Sequence, residues 1–111
     1  MSRNALGFIE TSGVVAAIDA LDIMVKSANV RFVTWERKLG GRLVTIIVEG
    51  EVAAVNSAVE NACNRSIKKP AAHLVLASPH EETWRMVEIS ASRLKKKEKA
   101  QQEEGYQDVH F

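Results

Sequence analysis

The chain has 111 residues, 46% apolar and 26% charged, with a formal net charge of +1. This length and composition predict one folded domain. The near-zero net charge gives no bulk attraction to nucleic acid or to a membrane. A single cysteine, Cys63, excludes an internal disulfide. With no secretory or transmembrane pattern, the sequence predicts a cytosolic chain.

The first half of the chain predicts three strands and one helix. Residues Ala5 to Glu10 predict a strand that ends at a Thr-Ser-Gly turn. A helix follows over residues 13–28, and apolar residues at three- and four-residue steps predict its core face: Val14, Ile18, Leu21 and Val25. Asn29 to Arg37 and Leu43 to Val48 predict two strands, which a loop with two glycines joins as a hairpin.

The second half predicts a helix, a strand and a further helix. Glu51 opens the second helix, whose predicted inner face comprises Val52, Val55, Val59, Ala62 and Cys63. Ala71 to Ala77 predicts the fourth strand. Ser78 as N-cap, Pro79 at the first helical position and Glu81 in a capping box predict the start of the third helix. Its apolar stripe comprises Trp84, Val87, Ala91 and Leu94.

The element order predicts the α+β class. It is a ferredoxin-like βαββαβ sheet with two helices on one face, plus a C-terminal helix. We place the domain at residues 1–88 and a charged C-terminal extension at 89–111, helical at first. Residues 105–111 are predicted to be disordered unless a partner holds them.

Four short segments match the pattern of one known family in the same order along the chain. They are Ala5-Leu6-Gly7 with Glu10-Thr11, Met24 to Val30, Leu43 to Val52, and Pro79-His80. Together they resemble bacterial microcompartment shell proteins of the hexamer-forming type, such as those of carboxysomes and of the propanediol and ethanolamine compartments. The resemblance covers about residues 4 to 88.

The resemblance implies a structural subunit of a compartment shell in the cytoplasm, with no enzymatic activity and no cofactor. It implies a flat homo-hexamer that tiles into a sheet with other shell proteins. It implies a central pore for small polar metabolites, lined by Lys38, Leu39, Gly40, Gly41 and Arg42. It also implies a contact edge between hexamers at Lys26, Asn29, Pro79 and His80.

Two departures from the family pattern qualify these expectations. The pore loop is one residue longer and more cationic than the usual Lys-Ile-Gly-Ser-Gly, so its cations either face the axis or lie along the hexamer face. Ser78 stands where relatives usually have an arginine that helps bridge hexamers. This predicts a minor shell component that tiles only with other shell paralogues.

Other functions stay open at this point. A ferredoxin-like nucleic-acid-binding domain would need aromatic residues on its strands, and aromatics make up only 5% of the chain. A small oligomeric metabolite-binding regulator would need convergent polar groups at a subunit boundary. His73 fits an edge position better than a metal site, because no partner has ligand spacing. The C-terminal extension either contacts encapsulated enzymes or another shell component, or is a solvated tail.

Overall fold

The computed structural model describes residues 4–37 and 40–109, with side chains described up to Gln102. The elements follow the predicted order: β1 (Ala5–Ser12), α1 (Val14–Ser27), β2 (Arg31–Arg37), β3 (Leu43–Gly50), α2 (Val52–Arg65), β4 (Ala72–Leu76) and α3 (Glu81–Val109). The predicted α+β class is confirmed.

The four strands form one antiparallel sheet in the order β2-β3-β1-β4. β1 pairs with β3 along its whole length, from Ala5 opposite Gly50 to Ser12 opposite Leu43. β4 pairs with the other side of β1, and β2 and β3 form the predicted hairpin. Each helical crossover therefore skips one strand, which is the split βαβ arrangement.

The helices α1 and α2 cover one face of the sheet, where the main core lies. Side chains alternate along β1 and β3, so Ile9, Ile46 and Val48 face these helices. Gly7 lies on the same face, and a Cβ there would come within 2.8 Å of Val55 Cγ1. The strand thus approaches α2 more closely than any side chain would allow.

The predicted core face of α1 is wrong in its phase. Residues Ala16, Ala17, Ala20 and Met24 are the buried ones. Ile18 is 59% exposed and Val25 is 40% exposed, whereas Val14 and Leu21 are partly buried at the margin of the core. Small alanines let α1 pack closely on the sheet and on α2. The bulkier residues were mistaken for the core because periodicity alone does not measure how closely two elements pack.

The helix α3 crosses the opposite face of the sheet. Trp84 and Val87 pack on Leu6 and Ile47 in a second, smaller cluster. The helix begins at Glu81, so the predicted N-cap at Ser78 is wrong. His80 takes that place instead. Its Nδ1 accepts a hydrogen bond from the Glu82 backbone N–H at 3.0 Å, and its carbonyl accepts one from the Trp84 N–H.

The C-terminal extension is helical further than the sequence predicts. α3 runs without interruption through residues 88–89 and on to Val109. Residues 105–109 belong to this helix and residues 110–111 lie outside the described part of the chain, so disorder of 105–111 in the absence of a partner stays a prediction. The proposed division between a domain at 1–88 and an extension at 89–111 stays a prediction.

Candidate assembly site

The predicted pore residues lie at one end of the sheet, which we call the loop end. β2 stops at Arg37 and β3 starts at Leu43, with Ser12 of β1 opposite Leu43. The Gly13 N–H donates to the Arg42 carbonyl at 2.7 Å, so the loop is tied to the start of α1. Gly40 has φ of 71°, a backbone conformation that favours glycine. Lys38 and Leu39 lie outside the described residues.

Gly40, Gly41 and Arg42 are all exposed at this end. Arg42 adds a positive charge to this exposed end. At the end of β2, the Arg37 guanidinium stacks 5.7 Å from the centre of the Trp35 ring. The loop end is therefore rich in glycine and in cations.

The predicted edge residues gather at the other end of the sheet, which we call the rim end. There Ala5 lies opposite Gly50, and Arg31 lies opposite Glu49. α1 ends at this point and α3 begins there, so Lys26 and Asn29 from one stretch of the chain and Pro79 and His80 from another are brought to one end of the sheet. The contact edge between hexamers stays a prediction.

The rim end has a well-defined backbone. A Cβ on Gly50 would lie 2.9 Å from the Asn29 carbonyl oxygen, so the turn after α1 packs directly on the end of β3. Asn29 and Gly50 line an open cleft of about 370 Å³. The Lys26 ammonium lies 2.8 Å from an Asp22 carboxylate oxygen, and its side chain is 74% exposed. Lys26 is thus held near the rim and remains accessible.

Sequence reasoning missed an apolar surface on the outside of α1. Val15, Ile18 and Val25 are 73%, 59% and 40% exposed, and we call these three residues the α1 flank. Exposed Ile67 lines one cleft with Val15, and its backbone N–H donates to Asp19 at 2.8 Å. A helix that is apolar on its outer side as well as its inner side indicates a second packing partner. The signal was present in the sequence as an unusually wide apolar arc.

A polar cluster between β2 and α3 was also missed. Ser90 donates a short hydrogen bond to Glu36, and its hydroxyl lies 3.0 Å from that of buried Thr34. Arg93 approaches the same Glu36 carboxylate at 3.6 Å. The strand is irregular here, with a register shift between Phe32 and Thr34. These contacts fix where α3 crosses β2.

The described residues hold no group of three or more His, Cys, Asp or Glu side chains placed to bind a metal ion. Among them no helix is both long and apolar enough to span a membrane. Burial raises the pKa of the Cys63 thiol, and nearby Lys69 partly offsets the increase. His73 lies on the exposed edge strand β4, as expected.

An antiparallel sheet between a two-helix layer and a long terminal helix, with an exposed apolar flank, defines an α+β subunit suited to assembly. The family model for the BMC domain matches residues 5–79. The chain belongs to the BMC domain family.

Curated relatives and a solved structure agree with that family. The chain is 44% identical over 89 residues to the bacterial microcompartment shell protein PduA of Salmonella typhimurium, covering 78% of this chain and 94% of that protein. It is 48% identical over 81 residues to the carboxysome shell protein CsoS1A of Hydrogenovibrio crunogenus, covering 70% and 83%. A microcompartment protein from Desulfitobacterium hafniense has the same fold, with a TM-score of 0.68 at 21% identity over 80% of this chain and 49% of that one.

Proposed function

We propose that this chain is a structural subunit of a bacterial microcompartment shell, located in the shell of a compartment in the cytoplasm, and that it catalyses no reaction. The observation that carries the proposal is the BMC domain match over residues 5–79, with relatives at 44% and 48% identity that are named shell proteins. The subunit assembles with copies of itself and with other shell components.

The assembled form is a cyclic hexamer. A closed ring needs two different surfaces, each of which meets the other on the next copy. In the helical layer α1 contacts β2 and α2 contacts β4, so the two helices lie toward opposite edges of the sheet. The α1 flank supplies an exposed apolar surface on the helical layer. The β4 edge and the outer side of α2 are the natural surface for the next copy.

The hexamer places the loop end at its axis and the rim end at its perimeter. Gly40 and Gly41 let backbones approach a crowded symmetry axis without side-chain clashes. A narrow pore lined by this loop passes small polar metabolites.

If Arg42 or Lys38 faces the axis, the copies form a cationic ring. One charge pair at ~10 Å contributes ~0.4 kcal/mol in water. Six pairs, screened by physiological salt, contribute roughly 0.7 kcal/mol, which favours anions about threefold.

The rim end then forms the contact between hexamers. The long Lys26 side chain can lie along a neighbour while its ammonium binds carbonyl oxygens. Asn29, Pro79 and His80 complete this edge. Because Ser78 lacks the guanidinium that relatives supply, the edge is weaker than theirs and favours tiling with shell paralogues. The C-terminal extension is available to encapsulated enzymes.

Native mass spectrometry and electron microscopy of the full chain test this proposal. A hexamer with a central hole supports it, and a monomer or trimer in every condition contradicts it. Co-expression with other shell proteins should extend the hexamers into sheets. Lys26→Ala should stop sheet growth and leave the hexamer intact, whereas Lys96→Ala, on the exposed part of α3, should change neither. A pore conductance equal for cations and anions would remove the anion preference alone.

A further inference from the structure

The outer side of α3 carries four exposed residues at regular helical spacing. Glu82, Met86, Ile89 and Arg93 are four, three and four positions apart, so they share one side of the helix. Met86 is 71% exposed and Ile89 is 52% exposed. The Glu82 and Arg93 side chains are 64% and 65% exposed. The side chains of α3 that pack on the sheet lie on a different side of the helix. We call these four exposed residues the α3 stripe.

The α3 stripe is complementary to a reversed copy of itself. Along the helix it reads acid, apolar, apolar, base. When two stripes lie antiparallel and are centred between Met86 and Ile89, Met86 of each copy lies opposite Ile89 of the other. Glu82 of each copy then lies opposite Arg93 of the other. Spacings of three and four residues are also the pattern by which two helices pack side by side. The stripe therefore matches itself both in apolar contact and in charge.

The charged ends of the stripe are available for such a match. In the single subunit an Arg85 nitrogen lies 3.4 Å from Glu82, and an Arg93 nitrogen lies 3.6 Å from Glu36. Exposed ion pairs of this kind contribute little to stability, so replacing them by pairs across an interface costs little. Opposite charges at both ends of a contact fix its direction and its register.

We propose that the α3 stripe pairs antiparallel with the α3 stripe of a second copy of this chain. The two apolar residues of each copy cover those of the other, and an ion pair flanks them at each end. A nucleic acid or an anionic membrane fits the stripe less well, because one acid and one base leave the stripe without net charge. An identical helix satisfies both charges at once.

The direction of α3 on the sheet suits this pairing in the proposed hexamer, on which the inference rests. One cleft lies beside α3 at Phe32 and Val33, and another lies on its other side at Trp35 and Glu36. α3 therefore lies across β2 and not along it. The strands of the hexamer run from the loop end at the axis to the rim end at the perimeter. A two-fold axis along that direction is roughly perpendicular to α3 and relates two antiparallel copies of it.

Repetition around the ring makes the contact effective. One pairing of four residues buries too little surface to hold two single subunits together. The six-fold symmetry repeats the two-fold axis, so all six stripes pair at once and give a particle of twelve subunits. Dilution should separate the two hexamers before either hexamer dissociates. Because the proposed function leaves the C-terminal extension, which starts at Ile89, to encapsulated enzymes, pairing and enzyme binding are alternatives.

Native mass spectrometry and sedimentation of the full chain over a concentration series test the pairing. We expect a doubling of mass, from six to twelve subunits, as the concentration rises. Ile89→Asp should abolish the doubling and leave the hexamer. Hexamers that never double, or twelve-subunit particles that persist in Ile89→Asp, would overturn this inference and leave the proposed function intact. Failure of the wild-type chain to form any hexamer would instead contradict the proposed function and this inference with it.

Charge exchange tests the register. Glu82→Arg places two bases opposite each other and Arg93→Glu places two acids opposite each other, so each variant alone should remain a hexamer. The double variant Glu82→Arg/Arg93→Glu, or an equimolar mixture of the two single variants, should restore the twelve-subunit particle. Lys96→Glu makes the same change in net charge as Arg93→Glu outside the stripe and should still pair. Exchanged charges that fail to restore the particle would refute the antiparallel register.

Discussion

Substitution of Ile18 should weaken assembly of the subunits without weakening the fold of the single subunit. Its side chain is 59% exposed in the single subunit, in the middle of the α1 flank. Full burial of an isoleucine is worth about 1.5–3 kcal/mol, so covering the exposed part contributes roughly 1–2 kcal/mol at each subunit interface. Ile18→Ala should therefore raise the dissociation constant of each interface by roughly 5- to 30-fold. Ile18→Asp should cost more, because the interface would also desolvate an unpaired carboxylate.

The assay for Ile18 compares native mass spectrometry over a dilution series with urea unfolding. Both variants should shift the population from hexamer to smaller species. The free energy of unfolding of the dissociated subunit should change by less than about 0.5 kcal/mol, as for an exposed position. Ile89, 52% exposed on α3, supplies the matched control, and Ile89→Asp should leave the hexamer intact. If Ile18→Asp hexamers resist dilution as well as the wild type, α1 is not an interface helix.

Three further results are expected. Gly7→Val should lower the free energy of unfolding by about 1–3 kcal/mol in urea titrations, because a Cβ there already comes within 2.8 Å of Val55; an unchanged midpoint would contradict the close packing. Ser90→Ala should cost about 1–3 kcal/mol by removing the partner of Thr34 and Glu36, and exposed Ser92→Ala, the control, should cost far less. Because burial raises the pKa of Cys63, its alkylation should begin at higher pH in the folded protein than in the denaturant-unfolded chain; coincident pH profiles would refute this.

Local patterns were sufficient for the strands and for the hairpin. β3 is nearly all apolar and is preceded by two glycines, so both its burial and its pairing with β2 follow from neighbouring residues. The alternation along β1 likewise separates the two faces of the sheet. The contact edge at the rim end was implied by the family resemblance and not by local patterns. The strand register explains why separate stretches of the chain reach this same end of the sheet.

The remaining features depend on contacts that local patterns do not encode. Thr34 and Ser90 are 56 positions apart in the chain, so the hydrogen bond between them has no local signature. The cap of α3 was assigned to Ser78 because the Ser-Pro pair fits a general preference. In the structure the His80 imidazole accepts the backbone hydrogen bond instead, two residues nearer the helix. The error at the cap arose because two chemically suitable residues, Ser78 and His80, competed for one position.

The error on α1 is also informative about function. A helix that packs only on its own sheet needs one apolar face, and alanines provide it here because they allow the closest approach. Bulkier Ile18 and Val25 add nothing to that contact, yet they give the helix a second apolar side that faces solvent in the single subunit. Such a surface lowers solubility unless another molecule covers it. The division of α1 into a small-residue inner face and a large-residue outer flank therefore separates the residues that fold the subunit from those that, in the proposed hexamer, join it to the next.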